Sequence, residues 1–114
     1  HQSEPFFLMV SWDPPHADFL DAPEPKQALY TPEKLPQRPN GTPHDALADD
    51  PATGTWGRFA WEYYRGYHGH ISAIDDELGR VMAKLDELGL TEDTILVYTS
   101  DHGSMMGSHG LGGK

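Results

Sequence analysis

Two short apolar runs frame the chain. Residues 5–12 (PFFLMVSW) are almost continuously apolar, closed by Pro5 on one side and by Asp13-Pro14-Pro15 on the other. A run without alternation is the pattern of a strand buried on both faces, as in a parallel sheet, and its length and flanking prolines disfavour a buried helix. Thr94–Thr99 (TILVYT) repeats the pattern with β-branched residues. Between the runs, Tyr67, Ile71, Ile74, Leu78, Val81, Leu85 and Leu88 recur at alternating spacings of four and three. That is one apolar stripe on a helix extending over about 58–89. Gly89 follows the last stripe residue and predicts a C′ stop. Gly66, Gly69 and Gly79 weaken the helix locally and mark places of close packing.

Residues 13–57 hold nine of the ten prolines together with Asn40-Gly41 and Thr53-Gly54, and no period of 2 or 3.6 survives there. This predicts a long irregular excursion with at most a helical turn or two, of the kind that is functional or a linker. Strand, long crossover with a helix, strand is a βαβ unit with a right-handed connection. The expected class is therefore α/β: part of a mostly parallel sheet flanked by helices, here a βαβ fragment with a long Pro-rich loop. Its divisions are an irregular region at 13–57, a helix region at 58–89, and a strand plus glycine-rich loop at 94–114.

With 114 residues and a formal net charge of −10, the chain fits one small domain or a piece of a larger one. Neither end reads as a natural terminus: His1 opens almost directly on an apolar run and Lys114 follows a glycine-rich turn. The acidity disfavours nucleic acid and anionic lipid, which need a basic footprint. No apolar run approaches the roughly 18 residues of a membrane span. Cysteine is absent, which excludes disulfides, thiolate metal sites and a cysteine nucleophile within this stretch and leaves the compartment open. A βαβ unit alone leaves apolar faces bare, so self-association of this piece is expected.

Parallel strands end on the same side of a sheet, and ligands bind outside their carboxyl ends. Asp13-Pro14-Pro15-His16 leaves the first strand there and Asp101-His102 leaves the second. An Asp oxygen beside an imidazole nitrogen is a reasonable ligand pair for a divalent cation, although two ligands do not complete a site, and a capped turn with an exposed His fits the same residues. His16, after two prolines that restrict its backbone, is placed either to give a proton to a leaving group or simply to pack in the loop. Lys114 closes a loop too glycine-rich to pack a core, where a lysine serves as a point charge for an anion or stays solvated. His109 lies in the same loop, near the candidate site. His68 and His70, two apart on a helix, do not face the same way and read as structural. Asp75-Asp76-Glu77 reads as a solvated face, with Asp76 spaced to pair with Arg80. Met105-Met106 reads as packing. Asn40-Gly41-Thr42 is formally a glycosylation acceptor, weakened by Pro43.

Taken in order, these segments resemble the central portion of a sulfatase of the alkaline-phosphatase-like superfamily. PFFLMVSWDPPHADF is similar to the family's apolar strand and proline-histidine loop. ALYTPEKLPQRPN resembles the loop that follows it, and YHGHISAIDDELGRVMAKLDELGLTEDTILVYTSDHGSMMGSHGLGGK resembles the helix, strand and metal loop with its closing Gly-Lys. The resemblance implies that residues 1–114 are part of a catalytic domain cleaving sulfate esters. It implies that Asp101 and His102 are metal ligands, usually for calcium, and that His16 assists the departing oxygen while Lys114 binds a sulfate oxygen. It also implies a formylglycine nucleophile matured within a C/S-x-P/A-x-R segment and an N-terminal Asp pair. Neither occurs here; both are expected before His1, so the piece alone is expected to be inactive. A phosphonate monoester or phosphodiester hydrolase of the same superfamily, with manganese favoured, and a non-catalytic anion-binding relative are the alternatives.

Overall fold

The computed structural model describes residues 4–16, 18–35, 39–40, 61–109, 111 and 114. One long helix organises them. A short α1 (Glu24–Gln27) precedes α2 (Trp61–Glu87), and single 3₁₀ turns lie at Phe19–Asp21 and Thr91–Asp93. The described part of the excursion thus holds the turn or two of helix that its lack of periodicity predicts. The predicted helix start at 58 lies outside the described residues.

α2 ends as its sequence dictates. Gly89 takes φ 67°, its N–H donates to Asp86 O at 2.9 Å, and the Leu90 N–H donates to Leu85 O at 2.9 Å. These are the paired bonds of a Schellman stop, which satisfy carbonyls the last turn would leave open.

The N-terminal half of α2 is covered by residues 18–35. Asp18 caps the first 3₁₀ turn by accepting from the Leu20 N–H. Phe19 then inserts edge-on against Tyr63 and Tyr67, with ring centroids 6.2 and 5.6 Å apart, and forms a buried cluster with Tyr64 and Met106. Gly66 permits this approach, because a Cβ there would overlap the Phe19 carbonyl. Gly69 meets Ala22 and Gln27 as closely as contact allows, whereas Gly79 has nothing within 4 Å. Close packing therefore holds at two of the three helix glycines. Buried Gln27 donates to Ala22 O at 2.7 Å, Tyr30 and Ser72 share a hydrogen bond of 2.5 Å, and Lys26 pairs with Asp76. That last pair corrects the expected Asp76–Arg80 bridge. Lys26 arrives from α1, and Arg80 turns to Glu77 with bonds of 2.9 and 2.7 Å.

The histidines of α2 are structural in geometry. His70 is buried, with Nε2 3.0 Å from Asp21 Oδ1 and 3.2 Å from Asp18 O. The His68 ring lies among Tyr30, Tyr64 and Tyr67.

The sheet is where the structure departs from expectation. Among the described residues no strand is formed. Residues 5–12 and 94–99 are free of helix but join no ladder, and their apolar side chains stand in solvent, Phe7 at 90% and Ile95 at 93% exposure. A strand exists only by pairing with a neighbour about 4.8 Å away. Here an open trough of about 1430 Å³ separates the two runs from each other and from α2. Its floor is the apolar stripe, narrowed to Tyr67, Ile74, Leu78, Val81 and Leu85, because Ile71 and Leu88 face solvent. The radius of gyration, 17.9 Å, exceeds the roughly 13 Å of a compact chain of this length.

Candidate active site

The trough brings together what the sequence separates. His16 at the end of the first apolar run, Asp101 and His102 at the end of the second, and Lys114 all line it, beside Tyr67 and Ser104.

His16 ends a turn in which its N–H donates to Asp13 O at 3.0 Å, after a cis Pro14–Pro15 bond. Asp101 and His102 are both exposed and tightly cross-bonded. The His102 N–H donates to Asp101 Oδ1 at 2.8 Å, and Ser100 Oγ donates to His102 O at 2.6 Å. The first of these bonds holds the Asp101 carboxyl below its ordinary range against an opposing desolvation, and the neighbouring His102 and Lys114 side chains add lesser lowering effects. His102 Nδ1 lies 3.0 Å from Gly103 O. A carbonyl can only accept, so Nδ1 carries a hydrogen, and the ring's other nitrogen, Nε2, faces Asp101. That Nε2 is 3.3 Å from Asp101 Oδ2. The imidazole and the carboxylate thus present Nε2 and Oδ2 side by side.

Two such donors do not make a metal site by themselves. Among the described residues no group of three or more His, Cys, Asp or Glu side chains gathers, and a calcium ion takes about six to eight oxygen ligands. Asp101 and His102 fit one side of such an ion and cannot enclose it. Sequence reasoning missed two features of the loop's frame: Ser100, which holds the His102 carbonyl, and Asn40, which bonds His109 twice; Met106 joins the core, as its reading as packing expects. Asn40 carried a signal only as a glycosylation acceptor.

The sulfatase family model matches residues 1–114, the whole of the sequence. The chain belongs to the sulfatase family. It is 35% identical over 105 residues to an ulvan-active sulfatase of Formosa agariphila, covering 92% of this chain and 18% of that protein. It is 35% identical over 133 residues to the multifunctional alkaline phosphatase superfamily protein PehA of Trinickia caryophylli, covering 97% of this chain and 26% of that protein. An arylsulfatase of Clostridium perfringens is 32% identical over 128 residues, covering 94% and 24%. No solved structure matches. The chain therefore spans about a fifth to a quarter of the length of these relatives. Membership implies an alkaline-phosphatase-like α/β fold; the described residues contain one long helix and no strand. No helix among them is long and apolar enough to cross a membrane.

Proposed function

We propose that residues 1–114 form part of the active-site wall of a sulfatase-type ester hydrolase acting on sulfate monoesters. The observation that supports this reading is the lining of one trough by His16, Asp101, His102 and Lys114, the four residues to which the resemblance gives roles.

In this reading the sulfuryl group of the ester lies against Asp101, His102 and Lys114. The Lys114 ammonium holds a non-bridging oxygen as a point charge, and a contact preorganised in this way is commonly worth about 10²–10³ in rate. His16 donates a proton to the bridging oxygen as the S–O bond breaks, so that the alcohol leaves neutral. Asp101 and His102 hold one side of a divalent cation, calcium for a sulfatase. When bound, such an ion neutralises charge on the sulfuryl oxygens. The attacking oxygen, a formylglycine hydrate by family resemblance, comes from outside these residues, since no C/S-x-P/A-x-R segment occurs in them. Residues 1–114 alone are accordingly inactive and take no nucleic acid or membrane partner.

A second reading is favoured by the likeness to PehA and by the nitrogen ligand His102, which suits manganese better than calcium: hydrolysis of phosphonate monoesters or phosphodiesters at the same residues. The test is to assay the intact polypeptide on 4-nitrophenyl sulfate and phenyl phosphonate esters, and to measure bound metal by elemental analysis before and after replacing Asp101 and His102 by Ala. Sulfate-ester turnover with calcium lost from the variant supports the first reading. Turnover confined to phosphorus esters, with manganese, establishes the second. Undiminished metal in a folded variant refutes the ligand assignment.

A further inference from the structure

The loop after His102 turns through three positive φ angles in four residues: Met106 at 46°, Gly107 at 89° and His109 at 56°. Side-chain-bearing residues adopt that region only where their surroundings over-determine it. Most of the determination is internal. The Ser108 N–H donates to Met105 O at 2.9 Å, Leu111 N–H to Ser108 O at 3.0 Å and Gly107 N–H to Leu111 O at 2.8 Å. Met106 and Ser108 are buried, Met106 against Phe19 and Tyr64. His109 is exposed and is held from outside the loop. Its N–H donates to Asn40 O at 2.8 Å, and its ring Nε2 lies 3.0 Å from Asn40 Nδ2. One residue of the Pro-rich excursion thus grips both the main chain and the side chain of one residue in the loop. The Asn40 nitrogen that would carry a glycan is the atom facing the imidazole.

We propose that Asn40 and His109 are positioning residues: their two-point clamp holds the loop after His102 at His109, so that Lys114 stays at the trough beside Asp101 and His102. Neither residue lines the trough, so the clamp acts through Lys114 and not on substrate. This rests on the reading of Lys114 as the anion-binding residue.

The experiment compares Asn40→Ala, His109→Ala, Lys114→Ala and the Asn40→Ala/Lys114→Ala pair in the intact polypeptide, using kcat/KM for 4-nitrophenyl sulfate. Each clamp variant is expected to lose about fivefold to tenfold, the loss of roughly one hydrogen bond. In the Lys114→Ala background, Asn40→Ala is expected to change the rate by less than about twofold, because the residue it positions is already gone. Equal losses in both backgrounds, or wild-type rates in both clamp variants, overturn the proposal. If neither sulfate nor phosphorus esters are turned over, the functional reading fails by itself, and amide hydrogen exchange decides the clamp. Faster exchange at His109 and Leu111 in Asn40→Ala, with the α2 amides unchanged, supports it. Unchanged exchange at both refutes it.

Discussion

The N-terminal half of α2 and its C-terminal half carry apolar faces of the same kind, yet only the first is covered by its own chain. Phe19, Ala22 and Gln27 lie buried on the first, with the polar atoms of Gln27, Tyr30 and His70 bonded. Leu78, Val81 and Leu85 instead look into a trough walled by Phe6–Val10 and Ile95–Tyr98, residues that are 41–93% exposed. The difference teaches where each region finds its partners. A strap that bonds to the helix face within the chain is stable as drawn. Runs patterned for burial on both faces need strands at their sides and layers above and below, and the described residues do not supply them.

Mutation breaks this comparison most strongly at Phe19. Phe19→Ala empties the centre of the buried cluster and is expected to cost about 3–5 kcal/mol, read as loss of a cooperative urea transition. Phe7→Ala, on the bare side, is expected to leave that transition in place. A smaller effect separates the glycines. Gly66→Ala forces a methyl group onto the Phe19 carbonyl and is expected to destabilise by about 1–3 kcal/mol. Gly79→Ala meets nothing and is expected to stabilise by about 0.5–1 kcal/mol through helix propensity. Equal signs at the two positions would contradict the packing described. On the bare side, Phe7→Lys with Val97→Lys is expected to reduce self-association of the 114-residue chain in sedimentation velocity while leaving helix content unchanged.

The smallest effect concerns the strap's acid sensitivity. The Thr31 side chain, and then the backbone N–H of Glu33, hold the Glu33 carboxyl below its ordinary range. A carboxyl depressed on folding adds stability at neutral pH, and that contribution disappears as pH falls through the depressed value. Thr31→Val is expected to move the Glu33 titration midpoint upward in a carbon-detected NMR series. An unmoved midpoint would remove the hydroxyl as the cause.

The sequence made α2 legible because seven apolar residues keep one period and Gly89 ends it. For the candidate site, the sequence places His16 and Asp101-His102 directly after the two apolar runs, and all three line the same trough. The strap at 18–35 was not legible. Its order comes from single tertiary fits, Phe19 against Gly66 and Gln27 against Ala22, which leave no periodic mark. The two apolar runs stand without a ladder among the described residues for the opposite reason. Their pattern records the environment in which they are buried, and a pattern cannot supply the neighbouring strand that makes a ladder. Asn40 escaped notice because its partner, His109, lies 69 positions away.

The central claim, that His16 and Lys114 serve one ester-cleaving site in different roles, is tested most directly by a leaving-group series. In the intact polypeptide, kcat/KM is measured for wild type, His16→Ala and Lys114→Ala over aryl sulfates of graded leaving-group pKa. The account predicts a steeper dependence for His16→Ala, with poor leaving groups hit hardest because their oxygen most needs the proton. For Lys114→Ala it predicts a nearly uniform loss, because the contact is to a non-bridging oxygen. A His16→Ala slope no steeper than wild type would contradict the account.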